Sequence, residues 1–285
     1  MFTKRFLSIV TWLILLCLCL FAREEKDKIS FSKLGDFEVF VLVEAERPGN
    51  ASILLNVEEE ILERYIPEEG FLHSTNVFLI KTPERVILVD TGTGSGGVIL
   101  EKIRSLEIEP EDIDTVLLTH LHFDHFGGLQ TDGVANFPNA QVYVSVKDYE
   151  YFTKDNAHQV VIDVLGVYGE NINTFEPAEL GSEYVELLAG VKPIANYGHT
   201  PGHTIFLIES RDEKLLIAGD FLHLALVQFA HPEISATFDV DPVAAAVSRR
   251  AVLDYAVRNG IPVGGMHMVM PGIRVNIEAD GDGFK

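Results

Sequence analysis

Three imidazoles and a carboxylate fall within six residues, His120-Leu121-His122-Phe123-Asp124-His125, directly after the apolar run Val116-Leu117-Leu118. A chain with this feature must end a buried strand here and crowd four polar side chains at its tip. On an extended backbone, side chains two apart point the same way. His120 and His122 can therefore both reach one cation from the strand end, and Asp124 and His125, on the following turn, lie near enough to serve a second. Neutral imidazole with carboxylate oxygen suits Zn2+ and its first-row neighbours, whereas an all-oxygen set would suit Mg2+ or Ca2+. The competing reading is a histidine-rich surface turn. Three histidines and an aspartate between Leu117-Leu118 and Gly127-Gly128 argue against it.

With 285 residues, 47% of them hydrophobic, the chain can bury a substantial core. A formal charge of −21 would repel phosphate backbones. DNA and RNA are not expected partners. Lys4 and Arg5 precede an apolar stretch from Phe6 to Ala22, and the charged Arg23-Glu24-Glu25-Lys26 follows. That order reads as a secretory signal peptide over residues 1–22, cut after Ala22 or after Cys19. The alternative is a retained N-terminal anchor, although the run is slightly short of a membrane span. Leu16 and Leu18 before the two cysteines disfavour a lipoprotein. Cys17 and Cys19 both lie in the leader, so the mature chain would have no disulfide and no thiolate ligand. Export to a periplasm or the medium therefore rests on the leader alone. Residues 23–285 show no linker composition and are expected to form one domain, with no stable membrane contact unless the leader is retained.

Alternation marks strands over 36–43, 76–80, 86–89, 114–119, 141–144, 204–208 and 215–218, with a last strand over 272–278. Helical spacing marks 97–106 and 146–153. The longest helix, 242–259, is capped by Asp241, has Pro242 in its first turn and ends at Gly260. Its Val243, Val247, Ala251, Tyr255 stripe is expected to face the core. The order of elements points to an α/β fold made of two strand-rich halves.

Further polar residues sit at strand ends or in constrained loops: Asp90 in Val89-Asp90-Thr91-Gly92, His199 and His203 in Gly198-His199-Thr200-Pro201-Gly202-His203, Asp220 after Ala218-Gly219, and His267 after Gly265-Met266. Alone, each is weak evidence, since such an Asp is usually a turn former and such a His a satisfied core group. In this order, downstream of the histidine cluster, they resemble the five signature motifs of the metallo-β-lactamase superfamily from about Asn76 to Gly272.

The resemblance implies a four-layer αββα sandwich with a dinuclear site between the sheets. It implies one Zn2+ held by His120, His122 and His199, a second held by Asp124, His125 and His267, and Asp220 bridging both; other first-row metals would fit. Asp90 would orient a ligand, and His203 is expected to be structural. The two cations would share a hydroxide and polarise a carbonyl or phosphoryl oxygen, with Asp124 passing the proton. Site charge would sum to about +1, favouring small neutral or singly charged substrates.

Within the superfamily, Thr119 to Gly128, Gly219 to Phe229, the Arg249-Arg250 helix and Gly265 to Gly272 resemble methyl parathion hydrolases and their secreted relatives. N-acyl homoserine lactonases share the same ligand types. The resemblance therefore implies hydrolysis of an ester, lactone or phosphotriester, with a lactonase as the alternative. His223, three residues after Asp220, leans toward the parathion-hydrolase branch and is read as a catalytic residue at the pocket mouth, with Phe123, Phe126, Phe221 and Phe229 as candidate walls. Familiar class B β-lactamases place a cysteine where Asp220 stands. A ribonuclease Z type enzyme must hold a polyanion, and a scaffold protein would be expected to lose ligands. The chain ends at Lys285 without the extension expected of the parathion-hydrolase branch, so an incomplete final sheet edge is anticipated and pairing into a homodimer is left open.

Overall fold

The computed structural model describes residues 28–285; the leader expected over 1–22 lies outside this range. The first strands, β1 (Ile29–Leu34), β2 (Phe37–Pro48), β3 (Leu72–Lys81), β4 (Val86–Val89) and β5 (Thr115–Leu117), lie side by side. A short hairpin, β6 (Gln130–Thr131) and β7 (Val134–Ala135), interrupts them before β8 (Gln141–Ser145) and β9 (Ile172–Phe175) complete a seven-stranded sheet. Its first four strands pair antiparallel, while β4, β5, β8 and β9 run parallel. A second, five-stranded sheet follows: β10 (Val191–Ala195), β11 (Thr204–Ser210), β12 (Glu213–Ile217), β13 (Val263–Gly264) and β14 (Ile273–Arg274).

Strands covered on both faces read as near-continuous apolar runs, as β4 and the 77–80 segment of β3 do. On β3, Phe78 and Ile80 face the second sheet, with Val39, Val41, Ile87, Val89 and Leu117, and meet Phe206, Ile208, Leu215 and Ile217. The alternate residues Val77 and Leu79, with Leu88, Val116 and Val142, face Ile99 and Ile103 of the helix Val98–Ser105 and Val161, Val164 and Leu165 of the helix Gln159–Gly166. Beyond the second sheet, Ile205, Leu207 and Leu216 pack on Val252, Leu253 and Ala256 of the helix Pro242–Asn259. The layers are helix, sheet, sheet, helix, as the family resemblance implies. Among the described residues, no helix is long and apolar enough to cross a membrane.

Three expectations need correction. The long helix forms between its expected caps, with the Asp241 side chain accepting from Val243 N and Ala244 N. Its buried face, however, is Ala245, Arg249, Val252, Leu253 and Ala256, and Val243 and Val247 are 75% and 66% exposed. A reading by apolarity missed this face because an arginine sits in its middle. The helix expected over 146–153 spans only Val146–Glu150 before widening into a π turn, Tyr151–Asp155. The strand expected over 272–278 pairs only at Ile273–Arg274, because Asn276 turns the chain at φ +55° toward the closing hairpin β15 (Ala279–Asp280) and β16 (Gly283–Phe284).

Candidate metal centre

The candidate ligands all emerge where strands of the two sheets end on the same side. Asp90 follows β4, the histidine cluster follows β5, His199 follows β10, Asp220 follows β12 and His267 follows β13. Glycines permit the tightest approaches. Gly198 lies at φ +125°, and a Cβ there would stand 2.1 Å from Ala245 N, so the long helix presses directly on the His199 loop.

Three ring nitrogens converge: His120 Nε2 and His122 Nδ1 at 3.1 Å, His122 Nδ1 and His199 Nε2 at 2.9 Å, and His199 Nε2 and His120 Nε2 at 3.1 Å. Asp220 Oδ2 lies 3.4 Å from His199 Nε2 and 3.8 Å from His120 Nε2. A second group adjoins it. Asp220 Oδ1 is 3.3 Å from His125 Nε2, Asp220 Oδ2 is 3.0 Å from His267 Nε2, and Asp124 oxygens are 3.6 Å from His125 Nε2 and 3.5 Å from His267 Nε2. All seven expected ligands are thus brought together, with Asp220 between the two groups.

The opposite nitrogens decide what the converging ones can do. His199 Nδ1–H donates to Asp239 Oδ1 at 2.8 Å, His267 Nδ1–H to the Ser74 carbonyl at 2.8 Å, and His125 Nδ1–H to Asp90 Oδ2 at 2.7 Å. The Thr119 hydroxyl donates its proton to Asp90, so it can only accept from His120 Nδ1 at 3.1 Å. When the ring is neutral, each Nε2 is left with a lone pair aimed inward, the arrangement metal-ligating histidines need. His125 Nε2 and Asp220 Oδ1 are buried and have no hydrogen-bond partner. Buried polar atoms without partners call for an ion or a water.

Electrostatics agree. Burial holds His120 and His199 well below the usual imidazole range and His122 down at about 4, so these rings are neutral. Burial also opposes charge on His125, but Asp220, Asp124 and Asp90 outweigh it and hold its pKa well above the usual value. Asp220 itself is opposed by burial, yet His125 and His267 hold it well below the carboxylate range. A carboxylate cage that retains a proton on imidazole would exchange that proton for a metal cation. The donor set therefore fits two first-row divalent ions.

His203, expected to be structural, has neither nitrogen available: Nδ1–H donates to the Asn196 carbonyl and Nε2 accepts from Asp220 N–H, both at 3.0 Å. His223 lies against the cluster, with Nε2 3.3 Å from Asp220 Oδ2 and Nδ1 buried without a partner. Of the expected aromatic walls, Phe221 is core, Phe123 and the largely buried Phe126 line one cavity beside the site, and Phe229 lines the other.

Sequence reasoning missed four groups. Asp239 orients His199. Phe238 lies on the His223 ring, with centroids 5.5 Å apart. His73 stacks on His267 at 4.4 Å. Asp148, fully buried, accepts from Leu121 N, the Thr200 hydroxyl and Gly202 N, clamping the two histidine loops together. Burial pushes its pKa up to about 7 against those three donors. Only Asp148 offered a signal, as an acidic residue in the first turn of an expected helix, and that signal usually means a solvated cap.

The chain belongs to the metallo-β-lactamase superfamily, whose family model matches residues 70–259. Among curated relatives, it is 28% identical over 166 residues to an N-acyl homoserine lactonase of Bacillus cereus, covering 49% of this chain and 60% of that protein. It is 30% identical over 156 residues to the thioesterase pkgB of Emericella nidulans, covering 55% and 38%. The matches thus span only part of these relatives' lengths. Among solved structures, a hydrolase of the β-lactamase superfamily, AbOPH, superimposes with a TM-score of 0.77 at 29% identity, over 90% of this chain and 96% of that one. AidC, a dizinc quorum-quenching lactonase, shares the fold with a TM-score of 0.80 at 23% identity, over 91% and 97%.

Proposed function

We propose that residues 23–285 form one hydrolase domain that uses two divalent metal ions to cleave an ester, lactone or phosphotriester bond in a small neutral or singly charged substrate. The observation that carries this reading is the convergence of imidazole nitrogens and two carboxylates beside an apolar cavity of about 610 Å³ that reaches them at His267. Similarity to AbOPH over nearly its whole length supports hydrolysis. We favour phosphotriesters because His223, three residues after Asp220 and in the lining of the larger cavity, is the residue type that the resemblance to the parathion-hydrolase branch implies. Lactones are the second reading, favoured by the likeness to the Bacillus cereus lactonase.

When bound, such a metal pair supplies Lewis acidity toward a carbonyl or phosphoryl oxygen and lowers the pKa of water toward neutrality. The chain's own groups do the rest. Asp124 is the accessible carboxylate, its side chain 34% exposed against 3% for Asp220. Burial opposes its charge, but His125 and His267 keep its pKa below the usual value, so it is ionised and able to accept a proton. Asp124→Asn should keep metal while turnover falls by about 10² or more, which metal analysis and kinetics on one sample would check. His223 turns Nε2 toward Asp220 and lines the cavity, and its Nδ1 is buried without a partner. Unchanged kcat and KM in His223→Ala would reduce it to a packing residue.

The deciding experiment measures hydrolysis of a neutral aryl phosphotriester and of an N-acyl homoserine lactone by zinc-replete protein, with a chelated control. Chelator-sensitive turnover favouring the triester supports the first reading, and a lactone preference supports the second. No turnover on either, with two metals bound, would overturn both.

A further inference from the structure

Two apolar cavities open on the candidate metal centre. The larger, about 610 Å³, is lined by Phe71, Leu226, Phe229, Met268 and Met270 and reaches the ligands at His267, beside His223. The other, about 460 Å³, is lined by Phe123, Phe152, Val160 and Val240 and reaches them at His122. Both volumes lie in the range that holds small ligands. Among the described residues, no Asp or Glu lines either cavity, and the two cations on the wall of the larger one are engaged elsewhere, Arg274 over the Phe229 ring and Lys285 beside Asp280.

Phe238-Asp239-Val240 ties the two together. Asp239 points inward and holds His199, whereas its neighbours stay half exposed, Phe238 beside His223 and Val240 in the wall of the smaller cavity. Apolar side chains left uncovered around a polar centre mark a surface that a ligand covers. A substrate with one apolar end would leave one cavity empty.

We infer that the substrate is an uncharged ester-type molecule with an apolar arm on each side of the bond cleaved, one arm in each cavity, lying across the Phe238-Asp239-Val240 ridge. This deepens the hydrolase reading and rests on it. A polar homoserine lactone ring, with its acyl chain on one side only, would use a single cavity. The larger cavity takes the longer arm.

Amides that resist hydrolysis test the arms separately from the chemistry. Calorimetry on zinc-replete protein would compare N-hexyloctanamide with N-methyloctanamide and N-hexylacetamide, each of which lacks one arm. The two-armed amide should bind at least about tenfold tighter than either one-armed compound, as burial of several more methylenes requires. Leu226→Trp and Val160→Trp, both at exposed positions, should each abolish that advantage while leaving the affinity for one of the one-armed amides within about twofold. Equal affinities for the three amides, or no effect of Val160→Trp, would overturn the inference. Two-armed binding without hydrolysis of triester, lactone or the matched ester would instead sink the hydrolase reading and leave the ligand's shape standing.

Discussion

Two buried carboxylates stand behind the two halves of the site. Asp90 accepts from His125 Nδ1, Thr119 N and the Thr119 hydroxyl, at 2.7–2.8 Å, and is fully buried at the end of β4. Asp239 accepts from His199 Nδ1 and Ala236 N, each at 2.8 Å, and lies 3.6 Å from the Arg249 guanidinium, in a loop with no regular partner strand. The two do the same work on an imidazole. One is held by the core of the sheet, and the other by a buried arginine that also donates to the carbonyls of Phe221, Pro232 and Ile234. An orienting group can therefore be supplied by regular structure or by a loop that a single cation pins from below.

The comparison breaks or holds on how each carboxylate fails. Asp90→Asn should weaken metal binding about 100-fold, because an amide there turns a donor toward groups that all donate; Asp239→Asn should cost about tenfold. Competition with a chromophoric chelator measures both. Equal losses would show that the sheet adds nothing.

Asp148 sharpens the contrast, since it touches no candidate ligand ring and holds only the loops. Its folded pKa, raised to about 7 from 3.8, means that its ionised form is disfavoured by folding. Its contribution to stability is therefore complete below about pH 4 and declines by up to about 1.4 kcal/mol per unit as pH rises toward 7. Urea unfolding of wild type and Asp148→Asn from pH 5 to 8 should show the wild-type advantage shrinking with pH; a constant gap would mean that the carboxylate stays ionised throughout.

The smallest effect belongs to the long helix under Asp239. Val247→Lys should change stability by less than about 0.5 kcal/mol, since that face is exposed. Urea midpoints would reveal a larger loss if Val247 were packed after all.

The contrast also separates what a reader of the chain can see. Asp90 is legible because Val86 to Val89 forms an uninterrupted apolar run and the carboxylate stops it, and the histidine cluster is legible for the same reason at β5. Doubly covered strands write themselves as apolar blocks, so the ligands that end them stand out. Asp239 follows no block, and its partner Arg249 reads as a solvated charge on a helix surface. That same arginine hid the helix's buried face and drew the expected stripe onto Val243 and Val247. Burial of a charge satisfied by backbone carbonyls leaves no trace in hydropathy, and neither does the clamp at Asp148.

The three residues at the ridge carry a consequence for how such a chain can change over generations. Asp239 faces the candidate ligand His199, while Phe238 lies half exposed on the His223 ring and Val240 in the wall of the smaller cavity. Substitutions at the outer two positions alter what is gripped without disturbing the imidazole that Asp239 holds. A lineage with this layout can explore new substrates by drift at two surface positions while selection on its metal chemistry acts on the residue between them.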